Sequence, residues 1–350
     1  MRIGLIASAT QTVEEPFAGG MEAHTAALAR NLRERGHEVT VHAADRDGPE
    51  SASVVRGGQL RLSPAARSDV SMPAERFMAE HHAYLSLMLS LDSLDYDVVH
   101  NNCLHYLPVA MAGAVRTPML MTLHSPPTPW LESAIRCRSG AGSPRWVSVS
   151  RANAAAWRHV CEPCQVIYNG VDLESWRFAA GPRELTAVWS GRIVPEKGTH
   201  LAIAAARRAG VRLALAGPVG DRDYFRECMR DAGPEVTYHG HLDSAELARL
   251  VGAASVALVT PCWEEPFGLV AIEALACGTP VAAFARGALP EVIDPGSGAL
   301  ARPDDVEDLA ARIPAAMEKD PAFCRAWAES SFSLEAMTDR YVEAYRGLLR

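Results

Sequence analysis

Residues 255–284 read SVALVTPCWEEPFGLVAIEALACGTPVAAF. The runs 255–260 and 280–284 have the length and residue types of buried strands. Between them lies a longer apolar run with helix signals at both ends, Pro266 at its opening and Gly278 and Pro280 at its close. Strand, helix and strand in this order make the unit of a parallel sheet with a crossover helix. Leu269, Val270, Ile272, Leu275 and Ala276 cover most of the helix circumference, so burial on several sides is expected. Glu273 stands in the middle of that run. An ionised carboxylate in such a place costs several kcal/mol, at order of magnitude, unless something hydrogen-bonds it. The partner is either a protein group, such as a core arginine, or a ligand.

Outward from this unit the same alternation runs along the chain. Strand candidates fall at 3–7, 38–43, 97–101, 119–123, 146–149 and 165–168, and again at 186–190, 212–216, 235–238, 255–260 and 280–284. Helical stretches lie between most of them, including 20–35 and 73–90. The expected fold class is therefore α/β, with two doubly wound, Rossmann-like domains that place ligand crevices at the carboxyl ends of their strands. The first domain is expected over 1–172 and the second over 186–332. A linker is placed at 173–185 (LESWRFAAGPREL), where periodicity weakens and a Gly-Pro pair occurs. The tail 333–350 reads as an amphipathic helix with Leu334, Met337, Tyr341, Tyr345 and Leu348 near one side. Residues 44–72, rich in Asp, Gly, Ser, Pro and Arg, read as a long loop.

Composition narrows the function. The chain has 350 residues, 48% of them hydrophobic, and a net charge of −8, which disfavours a nucleic-acid partner or a strongly membrane-adsorbing surface. Eight scattered cysteines suggest reduced thiols in a cytoplasm. The opening MRIGLIASAT reads as a first strand and not as a signal peptide, and no apolar run is long enough to span a membrane. Of 34 basic residues only Lys197 and Lys319 are lysine. A lysine retained inside a glycine-bearing turn therefore invites a chemical reason.

Three segments carry candidate chemistry. Gly19 and Gly20 precede a helix, where a phosphate can approach the backbone and the helix dipole favours an anion. The segment SGRIVPEKGTH (190–200) places Arg192 and Lys197 beside another helix start, two cations suited to a diphosphate. Glu265 lies in the turn before the 266–278 run and Glu273 eight residues later. At about 1.5 Å rise per residue the two carboxylates are expected roughly 12 Å apart along the axis, the span of a ligand with a sugar at one end and a ribose at the other. The backbone amides of Phe267, Gly268 and Leu269 would face the diphosphate between them. No GxGxxG follows any strand, and GPVG at 217–220 lacks the remaining glycine, so a dinucleotide fingerprint is absent.

The 265–273 pair resembles the E-x7-E motif of the GT-4 family of retaining glycosyltransferases, the group 1 type with the GT-B fold. GRIVPEKG (191–198) is similar to that family's phosphate-binding segment, Gly19-Gly20 to its N-terminal glycine loop, YNGVD (168–172) to its segment before the linker, and RGALPEVI (286–293) to its G-x-P-E stretch. Arg286 stands where the family often has a further glycine. The resemblance implies two domains facing a central cleft, with the last helix crossing back onto the first. It also implies Glu273 on the ribose, Arg192 and Lys197 on the diphosphate, Glu265 on the hydroxyls of the transferred sugar, and His124 near sugar and acceptor. The activity implied is metal-independent, retaining transfer of a hexose-type unit from a nucleoside diphosphate sugar, most commonly a UDP-sugar, to an unidentified acceptor; the lack of a basic amphipathic membrane helix favours a small soluble one. No cofactor and no metal are expected. Alternatives on the same fold are a nucleotide-sugar epimerase, a sugar phosphorylase or a non-catalytic nucleotide-sugar-binding protein.

Other polar residues are weaker candidates. His100, Asn101, Asn102 and His105 follow a first-domain strand and are open to an acceptor role or to simple loop hydrogen bonding. His159, Cys161 and Cys164 have metal-ligand spacing without a second pair. Cys262 and Cys277 read as small buried apolar groups. No G-x-S-x-G elbow supports a hydrolase.

Overall fold

A computed structural model of the chain describes residues 1–44, 60–71, 73–137, 144–179, 181 and 183–350. The described residues form two compact units. The first comprises Met1–Val149, Ala154–Ile167 and Thr338–Arg350, and the second Ser150–Asn153 and Tyr168–Met337.

The first unit is built on six parallel strands: β1 (Arg2–Ile6), β2 (Glu38–His42), β3 (Val98–Asn101), β4 (Met119–Leu123), β5 (Arg145–Ser148) and β6 (Cys164–Val166), in the order β2-β1-β3-β4-β5-β6. The second holds β7 (Glu184–Ser190), β8 (Arg212–Ala216), β9 (Val236–Tyr238), β10 (Ala254–Val259), β11 (Val281–Phe284) and β12 (Gly298–Ala301), all parallel, in the order β12-β11-β10-β7-β8-β9. Their interior positions are filled by Val, Leu, Ile and Ala with almost no exposure, as sheets covered on both faces require. Each order reverses once, between β1 and β3 in the first sheet and between β7 and β10 in the second. Reversal points of this kind open a crevice at the carboxyl ends of the strands.

Every strand expected from sequence is present to within two residues, and one more is added. β12 is the short run GALA, which lacks β-branched residues and carries no local strand signal. It forms through tertiary pairing with β11, and Gly298 permits it: a Cβ there would lie 2.3 Å from the Val281 carbonyl oxygen. Of the linker expected at 173–185, residues 180 and 182 lie outside those described; Trp176 is buried, and Arg183 donates to the carbonyls of Ala254 and Cys277 at 2.9 and 3.0 Å, so both belong with the second unit. Of the long loop expected at 44–72, residues 45–59 and 72 lie outside those described, and Pro64–Arg67 form one helical turn.

The terminal helix, Leu334–Leu348, belongs to the first unit from Thr338 onward. Tyr341 and Tyr345 have no exposed surface. The Tyr345 hydroxyl meets His100 Nδ1 at 2.7 Å, and His100 Nε2 meets Thr122 Oγ1 at 2.7 Å, so a buried polar relay ties the helix to β3 and β4. Urea denaturation should separate packing from hydrogen bonding here. Tyr345→Phe should cost about 1 kcal/mol, the net value of one hydrogen bond. Tyr345→Ala should cost about 3–5 kcal/mol through loss of the ring. Equal effects of the two would contradict the docking described.

Candidate functional site

In the second unit the loops leaving β7 and β10 stand on either side of the reversal point. The first carries Arg192 and Lys197, the second Glu265, Phe267 and Gly268. The loops are stitched together before any ligand arrives. The Cys262 amide donates to the Glu196 carbonyl at 2.8 Å, and Thr260 Oγ1 accepts from Trp189 Nε1 at 3.1 Å while donating to the Gly198 carbonyl at 2.9 Å. Gly198 sits at φ +68°, and a Cβ there would lie 1.9 Å from the Thr260 carbonyl oxygen. Only glycine fits this crossing.

The stitching delivers Lys197 to Glu265. Lys197 Nζ donates to Glu265 Oε2 at 2.7 Å, and Trp263 Nε1 donates to the same oxygen at 3.0 Å. The ammonium also lies 4.8 Å from the centroid of the Trp263 ring, a cation–π position. Glu265 is held from behind as well. Gly287, at φ +60°, passes so close that a Cβ would lie 2.2 Å from the Glu265 carbonyl oxygen, and the Ala288 amide donates to that oxygen at 2.8 Å. Arg286, where a further glycine would be usual, needs no left-handed backbone; its guanidinium pairs with Asp304 at 2.5 Å. Gly287 is the glycine of the RGALPEVI stretch quoted from sequence, whereas Trp263 was not singled out. The aromatic residue directly before Glu264-Glu265 is the signal that could have found it.

Glu273 lies on helix Leu269–Ala276, which opens at Gly268 with φ +93°. The helix therefore starts three residues later than Pro266, and Glu265 stands in the extended loop before it. The helical-rise span of roughly 12 Å between the two carboxylates does not apply. Ala271, Ile272, Ala274, Leu275 and Ala276 are buried, whereas Leu269, Val270 and Glu273 keep partial exposure. Those three share one face, at spacings of three and four residues. The Glu273 carboxyl thus occupies the single open stripe of an otherwise buried helix. Among the described residues no hydrogen bond or ion pair reaches it. The surrounding protein mass desolvates it and raises its pKa from 4.5 to about 7.

Arg192 is exposed, with its stem over the turn that follows β8: a Cβ on Gly220 would lie 3.0 Å from Arg192 Cγ. The glycines of GPVG serve that approach. Gly217, at φ +136°, lies so near that a Cβ would be 2.0 Å from the Gly191 carbonyl oxygen, and the Ile193 amide donates to Pro218 at 2.8 Å. Phe267 is buried among Tyr168 and Phe332, with ring centroids at 6.1 and 5.8 Å.

In the first unit, Gly19 and Gly20 stand at the start of helix Gly20–Glu34 after β1, and His124 directly follows β4. Gly19 is extended, and a Cβ there would meet Glu22 Oε2 at 3.2 Å. His124 Nε2 donates to Asn102 Oδ1 at 2.8 Å, which leaves its lone pair on Nδ1. His24, from the helix, stands edge-on to His124 with centroids 4.9 Å apart. Burial lowers the pKa of His24 to about 4 and holds His124 well below the usual histidine value, with His24 and His100 adding repulsion. These imidazoles are neutral at neutral pH. Among the described residues, both ring nitrogens of His24, Nδ2 of Asn102 and Oγ of Ser125 are buried without a partner. Such atoms cost about 1–3 kcal/mol each and gather where polar ligand atoms or water complete them. His24 had not been picked from sequence, because one histidine in a helix carries no pattern.

Among the remaining candidates, His100 is absorbed in its relay to Tyr345. His105 Nδ1 accepts from the Leu107 amide at 3.2 Å. His159 meets Glu132 at 3.0 Å, and among the described residues no three His, Cys, Asp or Glu side chains converge as a metal site. Cys277 is buried and Cys262 half-buried.

Comparison with known proteins gives the family and fold of the chain. Residues 172–333 match the family model "Glycosyl transferases group 1", and residues 18–175 match "Glycosyltransferase Family 4". A glycogen synthase of Mycobacterium tuberculosis is 32% identical, over 87% of this chain and 83% of its own length. A D-inositol 3-phosphate glycosyltransferase of Mycobacterium marinum is 28% identical over 99% and 85%. Among solved structures, Anabaena HepE in complex with UDP-glucose superposes over 99% of this chain and 100% of its own, with a TM-score of 0.74 and 19% identity.

The state of Glu273 has a measurable consequence. A carboxyl whose folded pKa of about 7 exceeds its ordinary 4.5 binds its proton more tightly when folded. Its contribution to stability is therefore fully present below pH 4.5 and is lost as pH rises to about 7. Glu273→Gln should stabilise the protein at pH 8 by up to about 3 kcal/mol, with a much smaller gain at pH 5. Urea denaturation at the two pH values checks this, and a gain independent of pH would contradict it.

Proposed function

This chain belongs to the group 1 glycosyl transferases, and from that premise we propose that it transfers a hexose-type sugar from a nucleoside diphosphate donor, with UDP as the favoured nucleotide, to a small acceptor with retention of anomeric configuration. The observation that carries the reading is the open, partnerless carboxyl of Glu273 in the same unit as the Lys197–Glu265 pair. Ribose hydroxyls are donors of the kind Glu273 lacks. The UDP choice is supported by HepE, which was solved with UDP-glucose on the same fold.

In this reading Lys197 and Arg192 grip the diphosphate. Lys197 exchanges part of its contact with Glu265 for phosphate oxygens, which frees Glu265 oxygens to accept from hydroxyls of the transferred sugar. Free amides in the first turn of Leu269–Ala276 add a positive end for the same charge. The acceptor hydroxyl oxygen attacks the anomeric carbon as the bond from that carbon to the phosphate oxygen breaks. The proton of the acceptor hydroxyl passes to the departing phosphate, and the nucleoside diphosphate leaves. The cations stabilise the charge that accumulates on the leaving group, so the step needs no divalent ion. Neutral His124, with its lone pair on Nδ1, accepts a hydrogen bond from the sugar or the acceptor. The unpartnered atoms of His24, Asn102 and Ser125 receive further hydroxyls.

Turnover and nucleotide binding test this together. Lys197→Ala and Glu265→Gln should each lower kcat by about 10²–10³-fold, the scale for removing one preorganised electrostatic group, with melting temperatures little changed. A thermal-shift series of nucleoside diphosphates should show its largest stabilisation with UDP, since only an occupied site raises apparent stability by mass action. Near-normal turnover in both variants would remove the mechanism, and a larger shift with GDP or ADP would reassign the donor.

A further inference from the structure

A stacked aromatic column rises from the core of the first unit to its surface. Tyr84 and His105 have centroids 4.6 Å apart at 24°, His105 and Tyr106 4.7 Å at 25°, and Tyr106 and Trp130 5.5 Å at 26°. Tyr84 is 1% exposed and Trp130 is 63% exposed. Every ring below the top is fixed by a polar contact. The Tyr84 hydroxyl accepts from the Ala9 amide and donates to the Ala7 carbonyl, both at 2.9 Å. His105 accepts from the Leu107 amide, and Tyr106 Oη meets His81 Nδ1 at 3.1 Å. On helix Pro129–Arg136 the residues Leu131, Ala134 and Ile135 point inward while Trp130 stands out, one face on Tyr106 and the other open.

We propose that this column is a carbohydrate-binding subsite, and that a neutral sugar ring of the acceptor lies on the open face of Trp130. The inference rests on the transferase reading and names the chemistry of its acceptor. A single exposed tryptophan is unremarkable, but four near-parallel rings with three locked in place present a rigid flat platform at little entropic cost. A sugar ring offers one face of C–H groups that packs on an aromatic face, while its hydroxyls stay at the rim. The platform also follows the candidate residues along the chain: after β3 come Asn102, His105 and then Tyr106 at a helix start, and after β4 come His124 and then Trp130 in the first turn of its helix. The charges on the Trp130 helix are satisfied locally: Arg136 pairs with Glu132 at 2.9 Å, and Glu132 also takes His159 at 3.0 Å. An uncharged ligand fits such a surface, whereas an anionic one finds no free cation on that helix.

Calorimetric titration of the full chain with neutral gluco- and manno-oligosaccharides of increasing length, with and without saturating UDP, tests the assignment. Trp130→Ala should bind the saccharides about tenfold more weakly, the scale of one aromatic stacking contact, and Trp130→Phe should recover most of the loss. UDP affinity and melting temperature should match wild type in both variants. Saccharide binding that is absent, or indifferent to Trp130, would overturn the proposal. So would sedimentation of wild type but not Trp130→Ala with phosphatidylcholine–phosphatidylglycerol vesicles, which would give the column to a membrane surface. Failure of UDP to bind wild type would strike the donor reading instead, and the titration without nucleotide would still decide this one.

Discussion

A carboxyl group on the only open stripe of a buried helix is the constraint around which the second unit is arranged. Glu273 is desolvated by its own fold, and among the described residues no compensating hydrogen bond reaches its carboxyl. A natural core ordinarily removes such a group or pairs it. Here the helix is anchored on its other sides by Ala271, Ile272, Ala274 and Leu275, which fixes the stripe on which the side chain stands. On the reading proposed above, a ligand with hydroxyl donors would remove this cost.

The remaining parts of that site show the same preorganisation. Lys197 and Glu265 come from loops 68 residues apart, and each loop is crossed by a backbone that tolerates only glycine, at Gly198 and Gly287. The pair is fixed by contacts within the protein, an arrangement that spends little free energy on ordering when a ligand binds. In the first unit the analogous cost is borne by His24, Asn102 and Ser125, whose buried polar atoms await partners beside His124. The second unit gathers cations and acids around Lys197 and Glu265, and the first gathers neutral imidazoles, a hydroxyl and an amide around His124.

Much of this was legible in the sequence, for identifiable reasons. Strands such as MLMTL and VALVT are dense runs of large apolar residues, so local pattern suffices to find them. β12 escaped because GALA becomes a strand only by pairing with β11. The start of the 269–276 helix was misplaced because Pro266 is a common first helical residue, whereas Gly268 at φ +93° forces the chain out of helical conformation. Lys197, Glu265 and Glu273 stood out as charges in glycine-rich or apolar surroundings. That Lys197 touches Glu265, that Trp263 supports both, and that His24 lies against His124 are facts of tertiary distance with no local signature. Arg286 looked anomalous only because the conformation of its turn is not written in the residue types.

The most direct test follows the Glu273 carboxyl itself. In protein labelled with ¹³C at glutamate side chains, with Glu273→Gln used to assign the resonance, the carboxyl should titrate near pH 7 when free. Saturation with UDP should move that midpoint down toward the ordinary value of 4.5, because hydroxyl donors stabilise the ionised form. A midpoint unchanged by saturating nucleotide would contradict the account, since Glu273 would then have no part in holding the donor.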